Sequence, residues 1–186
     1  MEIQATTSKQ APGIFPFRRL LRIATALGAL VLLFLLLWKL YDIYQLSAEK
    51  MYEQSYVPYQ IAAGKTSTDS LTIIELYYNE GDHKEVIRQS KNLLSVLDRE
   101  RLLIGISYLQ VEEYLPAISW LNRLAEQDGN PYQQHAQFYL TLTHLKNRDY
   151  DRAIELMQLI VDNPRHLYQK RFTQDDVSDV GLLKWK

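Results

Sequence analysis

Cysteine is absent from the 186 residues. That excludes disulfides, thiolate zinc sites and cysteine nucleophiles, and leaves the compartment open. No Asn-x-Ser/Thr acceptor occurs, so nothing marks the chain as a glycosylated secreted domain. A strong charge of either sign is also lacking: 21 Lys and Arg stand against 22 Asp and Glu, for a net charge of −1. The balance is uneven along the chain, because the first 41 residues hold five basic side chains and one acidic one, which leaves −5 for the remainder. A mildly acidic segment repels phosphate backbones, so nucleic acid is not an expected partner.

Catalytic signatures are missing as well. The stretch AAGKTS (62–67) ends like a phosphate-binding loop, but Tyr59 stands where the earlier glycine is required, and no strand precedes it. His83, His135, His144 and His166 show no paired-ligand spacing. Glu112 and Glu113 are adjacent, so their side chains diverge and cannot act as a facing acid/base pair. Ser107, in GISYL, lacks the second glycine and the strand-to-helix turn of a nucleophile elbow. These absences predict no enzyme activity, no metal and no cofactor.

What is present begins with an uncharged apolar run, IATALGALVLLFLLLW (23–38), bracketed by Arg22 and Lys39. The 17 steps between those two cations, at about 1.5 Å each, give roughly 26 Å, enough to cross a hydrocarbon core with both side chains snorkelling outward. Trp38, Tyr41 and Tyr44 follow at three-residue spacing as an aromatic belt, so Arg22, Trp38, Lys39, Tyr41 and Tyr44 form the predicted membrane interface. A cleaved leader is the competing reading, with Arg18, Arg19 and Arg22 as its basic region. The length of the run, the Trp38-Lys39 that follows it and the weak cleavage site at Leu46-Ser47-Ala48 favour a retained anchor. Lys9, Arg18, Arg19 and Arg22 before the span outnumber Lys39 and Lys50 after it, which predicts a cytoplasmic N-terminus. Ala24 and Gly28 have small-xxx-small spacing, a route to a homodimer through the span.

Beyond the span, one apolar pattern returns three times: Val86, Ile87, Ser90, Leu93 and Leu94; Ala117, Ile118, Leu121, Leu124 and Ala125; Ala153, Ile154, Met157, Ile160 and Val161. Each set lies on one face of a helix. The copies start 31 and then 36 residues apart. Each follows a short polar turn (EGDHKEV, VEEYLPA, NRDYDRA), itself preceded by another apolar helix (SLTIIELYYN, RLLIGISYLQ, QFYLTLTHLK). The unit is helix, tight turn, helix, at the period of a two-helix repeat.

This pattern resembles the tetratricopeptide repeat (TPR) family. The middle copy carries Ile104, Gly105, Tyr108, Tyr114 and Ala117; the third carries Leu140, Thr141, His144, Tyr150, Ala153 and Pro164; the first is degenerate, with Ile74 in a small-residue place and Val86 in the alanine place. The layout further resembles bacterial single-pass TPR proteins. The resemblance implies an all-α fold, an N-terminal transmembrane helix followed by a short α-solenoid of about three TPR-like helix hairpins. It places the protein in a bacterial inner membrane with the repeats in the periplasm. The expected divisions are a tail (1–19), the transmembrane helix (20–41), a juxtamembrane helix and linker (42–66), the repeat domain (67–164) and a C-terminal capping segment (165–186).

In that geometry the first helix of each hairpin lines a concave groove for a protein partner. The residues implied are Glu75, Tyr78 and Asn79; Leu102, Ile106, Leu109 and Gln110; and Phe138, Leu142, Leu145 and Lys146. Leu71 and Glu75 replace the basic and amide residues of a carboxylate clamp. The expected function is a membrane-tethered interaction scaffold or assembly subunit; the alternative is an anti-sigma-like regulatory component acting through the tail, which offers only Lys9, Arg18 and Arg19 with Pro12 and Pro16. Tyr52, Tyr56 and Tyr59 are expected to lie on the membrane or cover the first repeat. Residues 165 to 172 are expected to form a capping helix, with Leu182, Leu183 and Trp185 docked on protein or membrane.

Overall fold

A computed structural model describes residues 17–61 and 71–186. The tail through Pro16, with Lys9 and Pro12, and the Gly-Lys-Thr motif at 64–66 lie outside the described residues. Those described form helices and connecting turns with no strand among them, in two compact units divided between Gln45 and Leu46.

Among the described residues the first unit is a single helix, α1 (Phe17–Gln45), of 29 residues. At about 1.5 Å per residue it is roughly 43 Å long, close to a full bilayer with its headgroups. Its stretch Ala24–Gln45 is long and apolar enough to cross a membrane, and none of it is buried. Arg22, Trp38, Lys39, Tyr41 and Tyr44 are all exposed on this helix. Phe34 and Trp38 meet one turn apart with ring centroids at 6.0 Å. Ala24 and Gly28 also lie one turn apart and exposed.

The second unit contains α2 (Ala48–Ser55), α3 (Ile73–Asn79), α4 (His83–Ser90), α5 (Asp98–Gln110), α6 (Tyr114–Ala125), α7 (Gln133–Lys146), α8 (Tyr150–Asp162), a 3-10 turn (Gln169–Arg171) and α9 (Gln174–Leu183). From α3 to α8 each helix packs on the next, and α5 also touches α3 and α7. The helix starts are written locally. Thr72 and Glu75 form a capping box at α3, Asp82 accepts from Glu85 N at 3.0 Å at α4, and Thr173 and Asp176 form a second capping box at α9.

The turns inside the three hairpins repeat in detail. Gly81, Glu112 and Arg148 sit at the same place with φ of 75°, 62° and 60°. The next residue donates from its backbone N–H five residues back, Asp82 to Tyr77 O, Glu113 to Tyr108 O and Asp149 to His144 O, each at 2.9 Å. This is the Schellman termination of a helix, which requires a left-handed residue and satisfies carbonyls that would otherwise be orphaned. The spacing of 31 and 36 residues read from apolar positions is thus reproduced by backbone geometry.

Packing follows the small residues. A Cβ at Gly105 would lie 2.7 Å from Leu121 Cγ and 3.4 Å from Trp120 Cβ, so only glycine lets α5 and α6 approach this closely. Ala117 is fully buried. Helix α5 is buried all round from Leu102 to Leu109, and α7 from Ala136 to Leu145. Such helices are central, not surface, elements.

Two expectations are corrected. Helix α4 stops at Ser90, so Leu93 and Leu94 do not extend its apolar face, and Leu94 is fully exposed. Ser90 Oγ donates back to Ile87 O at 2.8 Å, and Asn92 N to Gln89 O, closing the chain into a turn. The C-terminal helix is not at 165–172, where a 3-10 turn stands, but at Gln174–Leu183, because the Thr173 capping box starts it there. It packs on α8 through Val177, Val180 and Leu183. Leu182 remains 42% exposed and Trp185 88%.

Candidate interaction groove

The faces of α5 and α7 predicted to form an open groove with α3 are covered by the chain itself. After α2, the segment Tyr56–Ile61 runs without regular structure, packed against the core. Together α2 and this segment make contacts ordered antiparallel to α7. Near the start, Lys146 donates to Glu49 Oε2 at 2.6 Å and lies 5.0 Å from the Tyr52 ring. In the middle, Tyr139 donates its hydroxyl to Val57 O at 2.6 Å and meets the Tyr56 ring edge-on. At the far end, Tyr59 packs edge-on against His135 with centroids 5.0 Å apart. Gln110 at the end of α5 donates to Tyr52 Oη at 3.0 Å. A side chain fixing a backbone carbonyl, with aromatics on both sides, is how a surface holds an extended peptide.

The C-terminal segment completes the cover. Tyr168 stacks on Phe138 with centroids 3.9 Å apart and planes 4° from parallel, and Tyr168 Oη lies 2.7 Å from His135 Nδ1. His166 Nε2 faces Gln137 Oε1 at 3.3 Å, while its Nδ1 accepts from Tyr168 N at 3.1 Å. That pair of bonds fits the neutral ring with its proton on Nε2. Burial, helped by neighbouring His135, depresses its pKa to about 4.

The sequence-predicted groove residues therefore have mixed fates. Leu102, Ile106, Leu109, Phe138, Leu142 and Leu145 are at most 1% exposed, so they are core and present no open apolar channel. The physical reason is that α5 and α7 have neighbours on every side, including α2 and the segment Tyr56–Ile61. Glu75 is fully buried, engaged in the α3 capping box and paired with Arg99, which ties α3 to α5. Gln110 and Lys146 hold the juxtamembrane segment. Lys146 is also 3.5 Å from Glu112; burial works against its charge, but Glu49, Tyr114 and Glu112 outweigh it and hold the ammonium above its ordinary value. Tyr78 and exposed Asn79 border an open hollow of about 430 Å³, shared with Tyr56, Pro58, Tyr59, Gln60, Ile61 and His83.

Tyr52, Tyr56 and Tyr59 do not cover the first hairpin alone; they run across α5 and α7. Their hydroxyls, like those of Tyr78, Tyr139 and Tyr168, titrate above the ordinary tyrosine value because burial disfavours the phenolate, Tyr56 and Tyr168 at about 12. They act as neutral hydrogen-bonding groups at physiological pH. Tyr139, His135 and Tyr168 were not singled out from the sequence as contacts for this segment. The spacing of Tyr52, Tyr56 and Tyr59 at four and then three residues, matched to aromatics along QFYLTLTHLK, was the available signal.

One pair invites a chemical reading. His83 Nδ1 lies 3.1 Å from Ser107 Oγ. Ser107 is fully buried within α5, so its hydroxyl reaches no solvent-borne substrate, and the bond serves as a tie between the first two hairpins. No group of three or more His, Asp or Glu among the described residues is placed to hold a metal ion. No family model, curated protein or solved structure matches this chain.

Proposed function

We propose that this chain is a membrane-tethered protein-protein interaction scaffold or assembly subunit. Three TPR-like hairpins stack as a short α-solenoid, α1 anchors them to a bacterial inner membrane with the N-terminus cytoplasmic, and a protein partner binds at the α3 end, beside the covered faces of α5 and α7. The observation that carries the reading is the seating of Tyr56–Ile61 along α7. A surface that holds one extended segment by a Tyr139-to-carbonyl bond and flanking aromatic rings has the chemistry to hold another. The partner enters at the hollow beside Asn79, bordered by Tyr56, Tyr59 and Tyr78.

The test is site-specific photo-crosslinking of the full chain in intact membranes. A crosslinker replacing Asn79 should yield a discrete protein adduct, and one replacing Leu159, 44% exposed on α8, should not. Equal labelling from both positions, or from neither, overturns this site. Protease added to spheroplasts should digest the helical unit; protection would reverse the proposed orientation. Deleting residues 1–15 should leave the adduct intact, whereas its loss from a normally inserted chain would favour the regulatory tail.

A further inference from the structure

The last residue of the second unit is tied to its first. Lys186 donates from Nζ to Leu46 O at 2.7 Å, and Leu46 directly follows Gln45, the last residue of α1. Helix α9 turns Val177, Val180 and Leu183 inward at three-residue spacing. Its other side leaves Leu182 and Trp185 exposed, a neighbouring pair because Trp185 N donates to Leu182 O at 3.1 Å. Next to them opens a cleft of about 500 Å³ bordered by Leu46, Leu183 and Arg148, and by Glu49 and Glu112, whose carboxylates lie 2.6 and 3.5 Å from Lys146 Nζ. Arg148 stands at its edge with φ of 60°, in a turn position the first hairpin fills with Gly81. The fold thus places a charged residue where glycine would carry no strain.

Distances along the chain locate this surface. Gln45 is seven residues beyond Trp38, about 10 Å along a helix, so with Trp38 at the hydrocarbon edge Leu46 stands in the headgroup zone. Trp185 is one residue, under about 4 Å of chain, from the Lys186 that touches Leu46.

We propose that Leu182 and Trp185 form a membrane-interface contact, seated in the headgroup layer of the bilayer that α1 crosses, with Arg148 directed to lipid phosphates. The contact rests on the anchor reading of α1. Phospholipid fits better than a protein for two reasons. An exposed tryptophan with an aliphatic neighbour and an arginine at the adjoining cleft is the composition of the interfacial zone, where an amphipathic ring finds both an apolar and a polar medium. And two side chains offer about 300 Å² at most, well short of the roughly 800 Å² per partner of a stable protein interface.

Because the chain has no cysteine, a single introduced one can be labelled cleanly. The full chain is reconstituted in phosphatidylcholine–phosphatidylglycerol vesicles that carry a nitroxide-labelled lipid quencher near the headgroup. A nitrobenzoxadiazole dye is attached to Leu182→Cys, or to Leu94→Cys as the fully exposed reference. Quenching should be several-fold stronger at 182 than at 94, and should fall to the reference level when Trp185→Ser is added. Equal quenching at the two positions overturns the contact, as does quenching at 182 that survives Trp185→Ser, since the dye alone would then be responsible. Alkaline carbonate separates the two readings. A chain released by it is not anchored, and the contact falls with the anchor; a chain retained but equally quenched loses the contact alone.

Discussion

The third hairpin and the first are built to one plan and end in different states. Both have the same turn, with a left-handed residue and the same hydrogen bond from the following N–H. Yet α7 and α8 run for 14 and 13 residues and α3 and α4 for 7 and 8. Helix α7 is enclosed by α5, α6, α8, the juxtamembrane segment and Tyr168. Helix α3 packs on α4 and α5 and leaves Leu71, Ile73 and Leu76 between 41% and 49% exposed at its edge. Packed neighbours stabilise a helical hairpin beyond its own local design, so the same turn should be held more firmly where the helices are covered than where their edge is exposed.

The strongest way to break this contrast is truncation in each hairpin, measured by denaturation of the full chain in detergent. Phe138→Ala removes the ring stacked on Tyr168 and should cost about 3–5 kcal/mol, while Leu76→Ala should change stability by no more than about 1 kcal/mol. Similar costs at the two sites would mean that coverage does not set the difference. Gly105→Ala, which drives a methyl into Leu121, should cost about 1–3 kcal/mol and shift the cooperative melt of the second and third hairpins together.

Acidification sharpens the comparison at the covered end. In the folded protein His166 titrates near 4, against an ordinary value of 6.5, so the unfolded chain binds the extra proton first. The stability linked to the neutral ring is complete above about pH 6.5 and is lost as pH falls toward 4. Protonation would place a hydrogen on Nδ1 and end the bond it accepts from Tyr168 N. The Tm of the wild-type chain should therefore fall more steeply between pH 7 and 4.5 than that of His166→Gln; identical slopes would remove His166 from the account.

Smaller effects address the juxtamembrane segment and the turns. Tyr139→Phe leaves the ring in place but removes the donor to Val57 O, and should cost about 1 kcal/mol, with faster amide exchange in residues 56–61 as the specific readout. Unchanged exchange there would show that the segment is held by its rings alone. Arg148→Gly relieves a left-handed residue and should stabilise by up to about 1 kcal/mol, whereas Gly81→Ala should destabilise by a similar amount.

Much of the architecture was legible one residue at a time. The apolar run from Ile23 to Trp38 gives a helix long enough to cross a bilayer because length and hydropathy are properties of the segment alone. The three hairpins were visible because the 3.6-residue period of Ala117, Leu121 and Leu124, and its returns, reflects burial on one face. Gly105 could be singled out because a missing Cβ has a direct steric meaning. What the period could not reveal was which element would cover a face. Leu102 and Phe138 read as groove residues and are core, because α2, Tyr56–Ile61 and Tyr168 fold back over α5 and α7. The bond from Tyr139 to Val57 O joins residues 82 apart, and that from Lys186 to Leu46 O joins residues 140 apart. Local spacing carries no record of contacts at such separations. They exist only once the stacked helices create the surface on which distant segments can exclude water and find their hydrogen-bond partners.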